Sequence, residues 1–253
     1  MKAFRTLLKT EIRLSLRGMD MFIFAICMPV VVVIILGAVF GNKPAFDGAG
    51  YTDGAGYTFL EQSFGAVSTI AICAGGVMGL PLVVSDYRSR KILKRFKVTP
   101  TSPALILAVQ VVIYTLYSII SLILVYATGA IFFGYQLYGS WLHFLGAYLL
   151  VMLSMFSIGL LVGGIAPDIK IASAAASLLY FPMLIFSGAT LPYEVMPTAL
   201  QKVADIMPLT QGIKLLKAAS LGLPIESVFI PVVVMVVIAV ICTTVSLRCF
   251  KWE

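Results

Sequence analysis

The sequence predicts an all-α integral membrane protein with six transmembrane helices. Three observations carry this reading. Of 253 residues, 60% are hydrophobic and 11% charged, where soluble domains carry roughly a quarter charged residues. Several apolar runs reach the roughly 20 residues needed to cross a bilayer as a helix. The runs are continuous, not the alternating segments of about ten residues that build membrane barrels.

The expected spans are 21–40, 64–84, 104–133, 141–165, 171–191 and 228–247, within one transmembrane domain covering 1–253. The first, MFIFAICMPVVVVIILGAVF, exceeds the about 7–15 apolar residues of a signal peptide, and no A-x-A site follows it. It is therefore expected to remain in the mature protein. The third is longer than a bilayer requires, so it is expected to tilt or to protrude.

Charge sets the expected orientation, because Lys and Arg accumulate on the cytosolic side. The N-terminal segment carries Lys2, Arg5, Lys9, Arg13 and Arg17, and the connection after the second span carries Arg88, Arg90, Lys91, Lys94, Arg95 and Lys97. Lys170, Arg248 and Lys251 fall on the same side, leaving Lys43, Lys202, Lys214 and Lys217 opposite. Both termini are thus expected in the cytosol, in the inner membrane of a prokaryote. The net charge of +7 follows from this topology. No basic soluble module with base-stacking aromatics is present, so no nucleic-acid partner is expected.

Three non-spanning pieces stand out. Residues 1–18 place Lys2, Arg5, Lys9, Arg13 and Arg17 on one helical face, with Phe4, Leu7, Leu8, Ile12 and Leu14 on the other. Such a helix lies along a membrane surface, and Arg5, Lys9 and Arg13 would contact lipid or grip a partner. The connection SDYRSRKILKRFKVTPTSP, 85–103, is expected to hold a short basic helix from Ser89 to Lys97, stopped near Pro100. Six cations interleaved with Tyr87, Ile92, Leu93, Phe96 and Val98 exceed what orientation requires and suggest a docking surface. The third piece, Thr190 to Pro224, has a helix opened by Pro197 with Leu200, Val203, Ala204 and Met207 in register, stopped by Pro208. A second pattern runs from Thr210 to Ala219 and ends at Gly222. Both are expected in the outer interface or dipping back into the protein.

Catalytic chemistry is sparse. His143 is the sole histidine, and acid–base or metal sites need partners. Cys27, Cys73 and Cys242 lie inside spans and Cys249 in the tail, so neither a disulfide framework nor a thiolate metal site is expected. The nucleotide-binding pattern G-x-x-x-x-G-K-[ST] does not occur. Glu61, Asp86 and Asp168 sit at span ends and no carboxylate sits in mid-span, which argues against an ion-coupled carrier. The third span bears a polar stripe, Gln110, Tyr114, Tyr117, Ser121 and Thr128, within about 60° of the helix circumference. It either bonds neighbouring helices or lines a substrate path. Gly75/Gly79, Gly159/Gly163 and the small residues Ala172, Ser173, Ala176 and Ser177 are expected to seat close helix contacts.

Asp86-Tyr-Arg-Ser-Arg-Lys-Ile-Leu-Lys-Arg-Phe-Lys-Val-Thr-Pro100 resembles the cytosolic coupling segment of ABC-2 type permeases, the membrane subunits of ABC exporters. It departs at Arg88-Ser89-Arg90, where many members have Arg-Gly-Thr. Ser187-Gly188-Ala-Thr-Leu-Pro192 through Pro208-Leu209-Thr210 resembles that family's external region. The resemblance implies a dimer of permeases, with a second copy or close relative, each resting on a separate ABC ATPase. It assigns ATPase coupling to Asp86, Arg88, Ile92, Leu93, Arg95, Phe96, Thr99 and Pro100. It implies ATP and Mg on the partner subunit, with no cofactor and no enzymatic activity in this chain. The implied cargo is amphipathic, lipid-like, drug or antibiotic; the alternative is an ATPase-independent carrier, channel or scramblase.

Overall fold

A computed structural model describes residues 2–40, 43–46, 51–52, 56–91, 103–190, 193, 196–223 and 228–249. Among the described residues eleven α-helices follow in order. Helix α1, Lys2–Arg17, leads into α2, Met19–Phe22, which continues through a π-helical stretch, Ile23–Cys27, into α3, Met28–Phe40. Helix α4, Phe59–Cys73, likewise continues through a π-helical stretch, Ala74–Gly79, into α5, Leu80–Ser89. Then come α6, Pro103–Phe133; α7, Trp141–Ile165; α8, Ile169–Phe186; α9, Thr198–Ile206; α10, Pro208–Leu221; and α11, Phe229–Cys249. Two-residue strands, Ala45–Phe46 and Tyr51–Thr52, pair antiparallel in the first connection.

Among the described residues six helices are long and apolar enough to cross a membrane: Ile23–Phe40, Phe59–Ser89, Leu105–Phe133, Trp141–Ile165, Ile169–Phe186 and Phe229–Arg248. The second span runs well beyond 64–84 at both ends. Its start is set by a capping box: the Thr58 hydroxyl accepts from Glu61 N–H at 3.3 Å, and the Glu61 carboxylate accepts from Thr58 N–H at 2.6 Å. Its end is a left-handed turn at Lys91, φ 56°, in which Lys91 N–H bonds back to Arg88 C=O. Ser89 therefore closes the spanning helix instead of opening a separate basic one. Residues 92–102 lie outside the described residues. The fifth span ends at Phe186, short of the expected 191, because the backbone bends over Ser187–Thr190 with Gly188 at φ 99°.

The second span is the axis of the bundle. In its most apolar window 83% of residues are buried inside the protein, against 22% for the sixth span and 28% for the fifth. The glycine pairs explain how neighbours come so close. A Cβ at Gly159 would overlap the carbonyl oxygen of Gly76, and one at Gly163 would meet Val84 Cβ at 2.9 Å. Gly79 would meet the Tyr114 ring at 2.8 Å. The small face of α8 also points inward: Ala172 and Ala176 are fully buried.

The connection between the fifth and sixth spans holds two helices of different character. In α9 Ala204 is buried while Val203 is half exposed. The second helix begins at Pro208, not at Thr210: proline needs no N–H at the first position of a helix, so Pro208 opens α10 after one extended residue, Met207. Helix α10 is largely buried, with Leu209, Thr210, Ile213, Leu215 and Leu216 enclosed. It lies so tightly on α4 that a Cβ at Gly65 would come within 2.7 Å of the Lys217 backbone nitrogen. Gly222, left-handed at φ 67°, caps it.

Candidate functional site

Helix α1 lies against α6 at the end of the bundle where the second span finishes. Phe4, Leu7, Leu8 and Ile12 pack on the core, while Arg5, Lys9 and Arg13 stay exposed. Leu14, assigned to the apolar face by periodicity, is 54% exposed. It sits at the edge of the stripe and borders a cavity instead of filling the core.

Polar bonds hold α1 to the bundle. Tyr87 donates its hydroxyl to Glu11 Oε2 at 2.6 Å. Gln110 Nε2 lies 2.9 Å from the same carboxylate oxygen and 2.9 Å from Tyr87 Oη. Ser15 Oγ and Tyr117 Oη are 3.0 Å apart. Bonds to an ionised acceptor are stronger than neutral ones, each contributing about 1.5–3 kcal/mol net. One carboxylate thus ties together the amphipathic helix, the end of the second span and the start of the third.

The polar stripe of the third span divides along its length. Gln110 and Tyr117 serve helix packing through these bonds, and Gln110 and Tyr114 also face a cavity of about 630 Å3. Leu7, Glu11 and Leu14 from α1 line it, with Met21 and Phe24, one face of the second span including Met78, Leu82, Val83 and Tyr87, and Ile106. Ser121 is buried and Thr128 half buried, both away from this cavity. Space of this size, mostly apolar with a few polar groups, suits a drug-sized amphipathic molecule.

The residues assigned to coupling separate. Asp86 borders the cavity and pairs with Arg90 at 2.8 Å. Arg88 turns inward: it is 8% exposed and donates from Nη1 to the Gly164 carbonyl at 2.9 Å. That carbonyl belongs to the last turn of α7, where cations are favoured and acceptors lack intrahelical donors. Ile92, Leu93, Arg95, Phe96, Thr99 and Pro100 lie outside the described residues. Asp168 caps α8, accepting from Ile171 N–H at 2.9 Å. His143 is exposed, and among the described residues no cluster of His, Cys, Asp or Glu could hold a metal.

Glu11 and Ser15 escaped sequence reasoning. Both fall in the middle of the Phe4–Leu7–Leu8–Ile12 stripe when α1 is drawn at 100° per residue. An acid on the apolar face of a basic helix is the signal that would have found them.

This arrangement defines a multi-pass membrane protein with an amphipathic helix bonded to one end of its bundle. A family model for the ABC-2 type transporter matches residues 2–221, and the chain belongs to that family of ABC transporter membrane subunits. It is similar to nodulation protein J of Rhizobium leguminosarum bv. viciae, 31% identical over 113 residues, which is 45% of this chain and 44% of that protein. It is also similar to nodulation protein J of Neorhizobium galegae, 32% identical over 76 residues, 30% of this chain and 29% of that protein. For nodulation protein J of Rhizobium meliloti (strain 1021) the identity is 33% over 95 residues, 38% of this chain and 36% of that protein. The chain matches less than half the length of these curated relatives.

Proposed function

We propose that this chain is the permease of an ATP-driven exporter in the inner membrane of a prokaryote, with both termini cytosolic. It works as a dimer, with a second copy or a close relative, on a separate ABC ATPase. That partner holds ATP and Mg, while this chain performs no catalysis. The observation that carries the reading is the Glu11 junction: it joins α1 to the second and third spans beside Asp86, where the basic connection leaves the bundle.

Movement of the connection 92–102 in the grip of an ATPase would act on the ends of α5 and α6, and Glu11 would pass it to α1. Ile92, Leu93 and Phe96 supply apolar anchors, and Arg88, Arg95, Thr99 and Pro100 shape the segment around them. Arg5, Lys9 and Arg13 hold α1 to anionic lipid. The cavity between α1 and the spans admits an amphipathic, lipid-like, drug or antibiotic cargo, with Gln110 and Tyr114 at its wall; Tyr117, Ser121 and Thr128 continue the stripe.

The test is co-reconstitution in phosphatidylcholine vesicles with the ATPase that co-purifies with the chain, using a rhodamine-labelled phospholipid as probe. Transport should require ATP, and Leu93→Asp with Phe96→Asp should abolish ATPase binding while membrane insertion persists. Probe movement by this chain alone without nucleotide would instead mark a carrier, channel or scramblase.

A further inference from the structure

Ser187 and Gly188 from one half of the external motif and Thr210 from the other are apart in sequence yet line one cavity of about 270 Å3. It lies at the opposite end of the second span from Glu11. Gln62 stands on its wall, 25 residues before Tyr87, a rise of about 37 Å along a helix.

The wall is rich in hydrogen-bond donors. Ser187 and Thr210 are 0% and 1% exposed, and neither hydroxyl has a hydrogen-bond partner. A buried hydroxyl left unpaired bears an uncompensated desolvation cost, and in native proteins most such groups meet a protein partner or an ordered water. Lys214 and Lys217 join them on the wall, one helical turn apart on α10. Lys214 is held in place: its Nζ donates to Asp205 Oδ1 at 2.6 Å and sits 4.8 Å over the Tyr193 ring.

Hydrogen-bond donors outnumber carboxylates on the wall itself, which carries Lys214, Lys217 and Gln62, while Asp205 engages Lys214 from behind. Gln62 and Ser63 are the wall's polar groups from α4, and the neighbouring Glu61 points its carboxylate at Thr58 N–H and hydroxyl. Asp205 lies on α9, bonded to Lys214 and to the Tyr193 hydroxyl. No Asp or Glu lines the cavity among the described residues.

We propose that this cavity is a binding site for an oxygen-rich anionic headgroup, a phosphate-class group held by Lys214, Lys217, Ser187 and Thr210. Its volume falls just under the about 300–1,000 Å3 of sites that enclose a drug-sized ligand, so it takes a headgroup while any apolar tail remains outside. The site belongs to the folded chain and needs neither ATP nor an ATPase.

The experiment uses the full chain with its native cysteines changed to alanine and Ser63→Cys as reporter on the cavity wall, in lipid nanodiscs. Neutral methyl methanethiosulfonate modifies the thiol, so surface potential does not bias the rate. Labelling slowed in phosphatidylglycerol relative to phosphatidylcholine nanodiscs assigns the site to a lipid headgroup. Slowing by millimolar inorganic phosphate in phosphatidylcholine assigns it to a soluble anion. About threefold protection is expected when the probe is at twice its Kd. Lys214→Gln with Lys217→Gln should remove the protection, and Lys214→Arg with Lys217→Arg should keep it. Ser187→Ala with Thr210→Val, which leaves both lysines, should weaken it, and Ala66→Cys serves as a second reporter. Equal rates under all conditions, or protection that survives the glutamine pair, would overturn the proposal. Either result leaves ATP-dependent transport, measured separately, unaffected.

Discussion

Glu11 on the amphipathic helix and Tyr87 near the end of the second span are joined by a 2.6 Å hydrogen bond, although 76 residues separate them. Gln110 completes the junction from the third span. Removing the carboxylate strips two donors of a shared acceptor in a partly buried site. Glu11→Ala should weaken α1 docking by about 2–4 kcal/mol, and Glu11→Gln by less, since an oxygen acceptor remains. Trypsin cleavage at Arg5, Lys9 or Arg13 in membrane vesicles reads the release of α1. A cleavage rate unchanged by Glu11→Ala would refute the junction.

Arg88 and Arg90 are separated by one residue and predict opposite outcomes. Arg88 is buried and donates to the end of α7, whereas Arg90 is exposed and meets Asp86 on the surface. Arg88→Ala leaves the Gly164 carbonyl without its donor and opens a space, so a loss of about 1–3 kcal/mol is expected. Arg90→Ala should change stability by about 0–1 kcal/mol. Thermal unfolding in detergent checks the order; equal shifts would show that burial does not separate the two.

The contact of Gly159 with Gly76 predicts intolerance of a single methyl group. Gly159→Ala drives a Cβ into backbone, where neither helix can yield by rotating a side chain, and should cost at least about 1–3 kcal/mol. Gly146 lies on the same helix with nothing within 4 Å of its would-be Cβ. Gly146→Ala should be neutral or stabilising by about 0.5–1 kcal/mol. The midpoint of thermal unfolding separates them.

Orientation is checked by labelling single cysteines in intact cells with a membrane-impermeant maleimide. Lys94→Cys should react only after permeabilisation, and Lys202→Cys before it. Labelling of Lys94→Cys from outside would reverse the topology.

Most of the bundle was legible because lipid demands continuous apolar surface, and each span is announced by its own run. The second span shows where that logic stops. Its ends carry Glu61, Gln62 and Ser63 at one side and Asp86, Tyr87 and Arg88 at the other, which read as loop. Most of them are buried in protein, where specific partners replace water. Glu11 was missed for a related reason: a charge census treats every ion as solvated, and this one is spent on Tyr87 and Gln110. Pro208 was read as a stop because its ring excludes continuation of the preceding helix; the same ring begins the next. The cavity between Ser187 and Thr210 depends on contacts between distant segments, which no local pattern records.

The passage of Gly76 against Gly159 has a mechanical implication. Where two backbones touch with no side chain between them, there is no compliant layer to shear, and the second and fourth spans must travel as a single strut. The sixth span is bound into the same strut, packed along the fourth with the Ser154 hydroxyl donating to the Met235 carbonyl at 2.8 Å.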